Sequence, residues 1–191
     1  VKFAGAESDE EIAAVARQGD RAAFDILVNR HKAAIYRFVR RYIGQGDDAY
    51  DVLQDCFIAS WQALSRYDPA RPFLPWLRVI ALNKCRDFGR RQKVRRLFLK
   101  AFAIETAEMS RSALRDPAKD ETQDDRLSRL DDAITRLDAF YKEPLLLTTV
   151  SGLSHIEAAS VLRTTPKAIE MRIYRARRKL MEDLEENAGE G

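Results

Sequence analysis

Apolar side chains return every three or four residues along most of this chain, and little interrupts them. Phe24, Leu27, Val28, Ile35, Phe38, Val39 and Tyr42, with His31 on the same stripe, form the longest such series. That spacing lines one face of an α-helix and does not fit a strand, whose faces alternate every second residue. Only eight glycines and six prolines occur in 191 residues, whereas the two together average about 12% of a chain. With so few breakers the expected fold is all-α. Hydrophobic residues make up 46% of the chain, enough to fill cores, but no apolar run reaches the length of a membrane span, so membrane insertion is not expected.

Punctuation then divides the chain. Ser8 and Glu11 stand at capping-box spacing before a short first helix, expected to be peripheral and to close near Gly19. Asp20 can cap the second helix, which Gly44 and Gly46 end. A third runs from about Asp48 to Leu64, and the prolines at 69 and 72 make Tyr67 to Pro72 a loop. A fourth begins near Leu74, with Pro75 tolerated in its first turn, and Gly89 marks a bend or the start of its end. Beyond Phe98 the periodicity is lost and a Ser/Thr/Asp/Glu-rich stretch reads as a flexible linker. Helical spacing resumes at Leu127, Leu130, Ile134 and Leu137; Ser154 and Glu157 form a second capping-box spacing, and Thr165 with Pro166 opens a long last helix. The expected organisation is a short N-terminal helix (1–23), a helical domain (24–96), a linker (97–125), a second helical domain (126–186) and a tail (187–191).

The net charge of +3 conceals how unevenly charge is distributed. Nine Lys/Arg residues face the single Asp87 between Arg78 and Lys100, and seven face Glu170 between Arg163 and Lys179. Two basic elements on an acidic tether suit two anion-binding modules, because a phosphate backbone rewards local positive density. Cys56 and Cys85 are too few for a disulfide framework or a cysteine zinc site, and a reducing cytoplasm fits them. His31, on an apolar stripe, and His155, at a capped helix start, read as structural or surface residues. No CxxC, no HxE joined to one and no paired-carboxylate arrangement supports a metal or a cofactor.

Residues 154–162, a tight turn and the helix from Pro166 have helix-turn-helix proportions. Ile169, Ile173, Ala176 and Leu180 define one buried stripe of the last helix. Its other faces carry Lys167, Glu170, Met171, Arg172, Tyr174, Arg175, Arg177 and Arg178, mixing phosphate-binding cations with groups able to touch base edges. A solvated surface helix would look similar; the capped helix and tight turn before it favour DNA recognition.

On the fourth helix Asn83, Arg86, Arg90 and Lys93 share one face, while Leu77, Ala81, Cys85 and Phe88 turn inward. Tyr67, Phe73 and Trp76 stand beside it, giving the rings, amide and cations that single-stranded nucleic acid requires. Phe73 and Trp76 match the buried stripe, which leaves Tyr67 as the freer ring. The third helix sets Asp51 and Asp55 four apart among Tyr50, Leu53, Gln54, Phe57, Ile58 and Trp61. Acids gain from a helix N-terminus, but this much apolar surface exceeds what one packed side needs and suits the basic helix of a protein partner.

At these residues the chain resembles bacterial sigma factors of the sigma-70 family, extracytoplasmic-function group. DAYDVLQDCF (48–57) with Trp61 resembles the second-region helix that binds the β′ clamp helices of RNA polymerase, and RPFLPWLRVIALNKCRDFGRR (71–91) resembles the element that melts and reads minus-ten promoter DNA. LDDAITRLD (130–138), GLSHIEAASVL (152–162) and TPKAIEMRIYRARRKL (165–180) resemble the fourth region, which reads the minus-thirty-five element and touches the β flap. The resemblance implies a promoter-specificity subunit that is not an enzyme and that an anti-sigma factor holds, acting in a stress or envelope response. It assigns Tyr50, Asp51, Gln54, Asp55, Phe57 and Trp61 to polymerase. Tyr67, Asp68, Arg71 and Asn83 go to capture of an extruded base, and Arg86, Arg90 and Arg91 to the DNA backbone. Glu170, Met171, Tyr174 and Arg175 take base-facing positions on duplex DNA; Lys167, Arg172, Arg177 and Arg178 meet phosphate or pack beside it. Tyr50 stands where the family usually has an acid, and Lys167-Ala168 where it usually has Gly-Thr. Two other functions fit parts of the chain. A dimeric helix-turn-helix regulator would bind a palindrome alone, and a nuclease would use Asp51, Asp55 or Asp87 with a metal.

Overall fold

A computed structural model of the chain describes residues 7–44, 46–102 and 123–186. Among these residues every regular element is helical. They are α1 (Asp9–Ala16), α2 (Arg21–Ile43), α3 (Gly46–Ala63), a short 3-10 turn (Leu64–Arg66), α4 (Phe73–Phe102), α5 (Gln123–Arg136), α6 (Ala139–Thr149), α7 (His155–Leu162) and α8 (Pro166–Glu186).

The expected caps are present. Ser8 Oγ accepts from Glu11 N–H while the Glu11 carboxylate takes Ser8 N–H at 2.8 Å, starting α1; Ser154 and Glu157 repeat the arrangement at α7. Asp20 Oδ1 accepts from Ala23 N–H at 3.0 Å and starts α2. Each satisfies amide donors that the first helical turn leaves without partners. The long helices follow the periodicity, with Leu27, Ile35, Phe38 and Val39 of α2 and Leu77, Ala81 and Cys85 of α4 all fully buried.

Two boundaries differ from the sequence reading. α1 is not peripheral: Ile12, Ala13 and Ala16 are fully buried, and the Glu10 carboxylate accepts the Phe73 N–H at 3.0 Å, tying α1 to the start of α4. A short helix becomes core when small and branched side chains fill the groove between two longer ones. α4 passes straight through Gly89, where an added Cβ would meet nothing, and continues to Phe102. The first residues of the expected linker are therefore helical, its last three open α5, and residues 103–122 lie outside the described residues, as do 1–6 and the tail.

The buried apolar residues of α1 to α4 and those of α5 to α8, the latter around Leu146, Leu147, Ala158, Ile169 and Ala176, join in one continuous core. The two halves pack against each other where the C-terminus of α2 meets α5 and α6. Gly44 allows that approach. Its φ is +95°, and a Cβ there would lie 2.5 Å from Thr135 Cγ2, so both conformation and space require glycine.

Candidate nucleic-acid and polymerase interface

The outer face of α8 forms as its periodicity requires. Ile169, Ile173, Ala176 and Leu180 are buried, and Lys167, Glu170, Met171, Tyr174, Arg175, Arg177 and Arg178 are exposed. The turn before it is tight because Arg163 takes the left-handed conformation (φ 51°, ψ 53°) and Thr164 N–H donates to the Ala159 carbonyl at 2.9 Å. Thr165 Oγ then caps α8 through Ala168 N–H at 3.2 Å. Several polar groups on this face are ordered by neighbours. Lys167 donates to Glu170 at 2.9 Å and holds its carboxyl below the usual carboxylate range. Arg178 lies 3.3 Å from Glu182. Arg172 stacks on the Phe140 ring of α6, 3.9 Å from its centre, an attraction between guanidinium and π-face that fixes the side chain flat against the domain.

α4 presents a more divided surface. Asn83, Arg90 and Arg91 are exposed as expected, followed by Lys93, Arg95 and Arg96. Arg90 is hydrogen-bonded to Asp87, and Arg91 lies 3.8 Å from Asp55 of α3. Arg86 is turned toward the other half of the molecule, where Glu143 of α6 accepts from its Nε at 2.7 Å and its Nη2 at 2.5 Å.

Tyr67 is not the free ring of the loop. It is 1% exposed, edge-on to Phe73 with ring centres 5.5 Å apart and tilted against Trp76 at 5.0 Å, and its hydroxyl donates to the Arg71 carbonyl. The 3-10 turn at 64–66 directs the chain inward, and an aromatic side chain with its hydroxyl satisfied is more stable beneath the loop than above it. Burial, with Glu10 and Asp68 nearby, pushes its phenol up to about 12. The surface of the loop is instead Arg66, Asp68, Ala70, Arg71 and Pro72. Asp68 shapes it by accepting from Ala70 N–H at 3.0 Å and lying 3.6 Å from Arg71.

On α3, Tyr50, Asp51, Gln54 and Ile58 form an exposed strip, with Asp55, Phe57 and Trp61 half-buried along its edge. Trp61 packs on Phe24 at 5.0 Å, and Tyr50 stacks on Tyr36 at 4.6 Å. Ile58, 56% exposed, belongs to this strip, as the apolar surface read from the sequence of the third helix included it. An open cleft of about 310 Å³ lies between α5, α6 and α8, floored by Ala133, Leu137, Tyr141 and Leu180.

The helix order, the basic α8 behind a tight turn and the acidic, apolar strip of α3 coincide with two known regions. Residues 27–95 match the model of sigma-70 region 2 and residues 127–180 that of sigma-70 region 4. RNA polymerase sigma factor NccH of Alcaligenes xylosoxydans xylosoxydans is 41% identical over 172 residues, 90% of this chain and 92% of that protein. The chain belongs to the sigma-70 family, in its extracytoplasmic-function group. Sigma factor CnrH of Cupriavidus metallidurans is 38% identical over 177 residues, 91% of this chain and 93% of that one. Among solved structures, CnrH in complex with the cytosolic domain of CnrY covers 94% of this chain and 98% of its own, with 36% identity and a TM-score of 0.68.

As a sigma factor the protein acts in transcription initiation, in promoter recognition. Both matched regions omit α1, and sequence reasoning passed over Glu10, Lys142 and Glu143, which the sigma factor uses to position α4 and join its halves. The packing of α6 buries Lys142 and Glu143. No helix among the described residues is long and apolar enough to cross a membrane.

Proposed function

We propose that this sigma factor confers promoter specificity on RNA polymerase core through three surfaces, with no chemistry of its own, in the cytoplasm. The exposed strip of α3, Tyr50, Asp51, Gln54 and Ile58 with Asp55, Phe57 and Trp61 along its edge, docks on the β′ clamp helices. The cleft between α5, α6 and α8, lined by Ala133, Leu137, Tyr141 and Leu180 together with charged side chains, receives the β flap. Glu170, Met171, Tyr174 and Arg175 read duplex minus-thirty-five DNA, while Lys167, Arg177 and Arg178 meet phosphate and Arg172, held on Phe140, packs beside them.

At the minus-ten element Asp68, Arg71 and Asn83 contact an extruded base, and Tyr67 supports their loop from beneath. Arg90, Arg91 and, when released, Arg86 hold the backbone. Melting is driven by binding: capture of an unstacked base, together with the backbone contacts, offsets the few kcal/mol needed to open the strands. An anti-sigma factor holds the protein until its stress or envelope signal arrives, in keeping with the bound state of its structural relative.

The observation that carries this reading is the pairing, in one chain, of a helix-turn-helix whose basic face is exposed with a second basic helix beside an exposed loop. Transcription with purified polymerase core over a promoter library tests it. Wild type is expected to select a two-part promoter, and reversing Asp51 and Asp55 to Arg is expected to abolish core binding with the fold intact. Retained core binding by the reversed variant would remove the α3 interface from the proposal. Tight binding of duplex DNA alone, with no affinity for core, would favour an autonomous regulator.

A further inference from the structure

Glu143 belongs to the C-terminal half, yet it is 8% exposed because it is turned into the N-terminal half. Its oxygens grip Arg86 of α4 side-on, at 2.7 Å from Nε and 2.5 Å from Nη2, and Oε1 also accepts from the Tyr42 hydroxyl at 3.1 Å. Two oxygens against the edge of one guanidinium is the geometry with which arginine holds phosphate. Arg86 stands between Asn83, whose amide oxygen it reaches at 3.4 Å, and Arg90. The cation at the middle of the basic face of α4 is therefore already engaged.

We propose that Glu143 is an internal phosphate mimic: it clasps the two halves of the protein through Arg86, and the DNA backbone displaces it, so that minus-ten binding and separation of the halves are coupled. The inference rests on the DNA-facing reading of α4 above.

The rest of the join supports a contact made to open. Lys142 Nζ donates to the carbonyls of Tyr42 (3.1 Å) and Thr135 (2.6 Å). Arg78 of α4 donates to the carbonyls of Val150 and Ser151 after α6, and Arg41 of α2 pairs with Asp131 of α5 at 3.0 Å. These bonds are polar and stand beside the apolar contacts that run from one half into the other. Polar groups regain water when such a surface parts, so a buried ion pair adds little net cohesion relative to its separated, solvated partners. A strand of DNA offers Arg86 an equivalent two-oxygen partner and releases counterions as it binds. It also repels the freed carboxylate.

The test uses the full chain and a random-sequence single-stranded 20-mer, with affinity read by fluorescence anisotropy and compactness by solution scattering. Glu143→Gln is expected to bind roughly tenfold tighter, because a larger fraction of molecules is already open, and to show a larger radius of gyration. Adding Arg86→Ala to Glu143→Gln is expected to erase the gain. Asp131→Asn loosens the join away from α4 and is expected to tighten binding by a smaller factor. Asp25→Asn, the same charge change at an exposed position of α2, is expected to leave affinity within about twofold, the scale of a single screened surface charge. A folded Glu143→Gln no tighter than Asp25→Asn would overturn the clasp and leave the DNA reading standing. If Glu143→Gln does not fold, absence of any gain in folded Asp131→Asn overturns the clasp instead. Failure of wild type and every variant to bind the strand would overturn the DNA-facing reading of α4, and the clasp with it.

Discussion

α8 and α4 carry similar positive charge and dispose of it in opposite ways. On α8 the ion pairs are one turn apart on the same helix, Lys167 with Glu170 and Arg178 with Glu182; Arg172 alone of the DNA-facing cations leans on another helix, at Phe140, and the rest of the face stays outward. α4 keeps one such local pair, Arg90 with Asp87, and engages three further cations across the tertiary structure: Arg78 with backbone carbonyls after α6, Arg86 with Glu143, and Arg91 with Asp55 of α3. A surface ordered within one helix is available as soon as that helix forms. A surface ordered by other elements can be occupied or released by moving them.

The contrast can be broken most severely at the base of the α4 loop. Phe73, 1% exposed and in ring contact with His31, Tyr67 and Trp76, is expected on substitution by Ala to cost the N-terminal half about 3–5 kcal/mol. Urea unfolding should then split into two transitions, the C-terminal one unmoved; a single shifted transition would mean that the halves do not fold independently.

Next in size is Gly44→Ala. The positive φ alone costs about 1–3 kcal/mol, and the new methyl group meets Thr135. The damage should fall on the join, seen as expansion in solution scattering with both helical signals retained, and Thr135→Ser should recover part of it by removing the methyl in the way.

On the α8 side, Arg175→Ala is expected to lose about 1–3 kcal/mol of discrimination at one upstream base pair. Arg90→Ala should weaken all promoters alike and reduce the salt slope by roughly one unit. Equal losses for Arg175→Ala on every promoter variant would contradict base reading.

The smallest effect expected is at the α7 cap. Ser154→Ala should cost about 1 kcal/mol. The Ser154 hydroxyl and N–H hold the Glu157 carboxyl below its ordinary 4.5. Its folded value is thus depressed: the stabilisation is complete above pH 4.5 and is lost as pH falls through the folded value. Wild-type stability of the C-terminal half should decline more steeply below pH 4.5 than that of Ser154→Ala, as thermal melts over an acid pH series would show.

Legibility in the sequence followed the range of the interactions. Helix caps at Ser8, Asp20, Ser154 and Thr165 involve partners three residues away, and all four were readable. The buried stripe of α8 needed only periodicity, and the order of the sigma-like motifs was enough to place both regions. Tyr67 was misread although its partners, the Arg71 carbonyl, Phe73 and Trp76, follow closely along the chain, because which side of the loop the ring takes is set by the core beneath it and not by the loop's own residues. α1 looked peripheral because eight residues carry too little pattern to show that their apolar face fills a groove.

By itself, then, the order of residues determined an all-helical chain, its caps, its two regions and the outward face of α8, because each depends on neighbours within one or two turns. Tertiary structure alone decided that Glu10 holds the start of α4, that Tyr67 lies under its loop and that Glu143 takes Arg86. These contacts join residues 57 or more positions apart for Glu143 and 63 apart for Glu10, and no local pattern encodes which charge will meet which when separate helices pack.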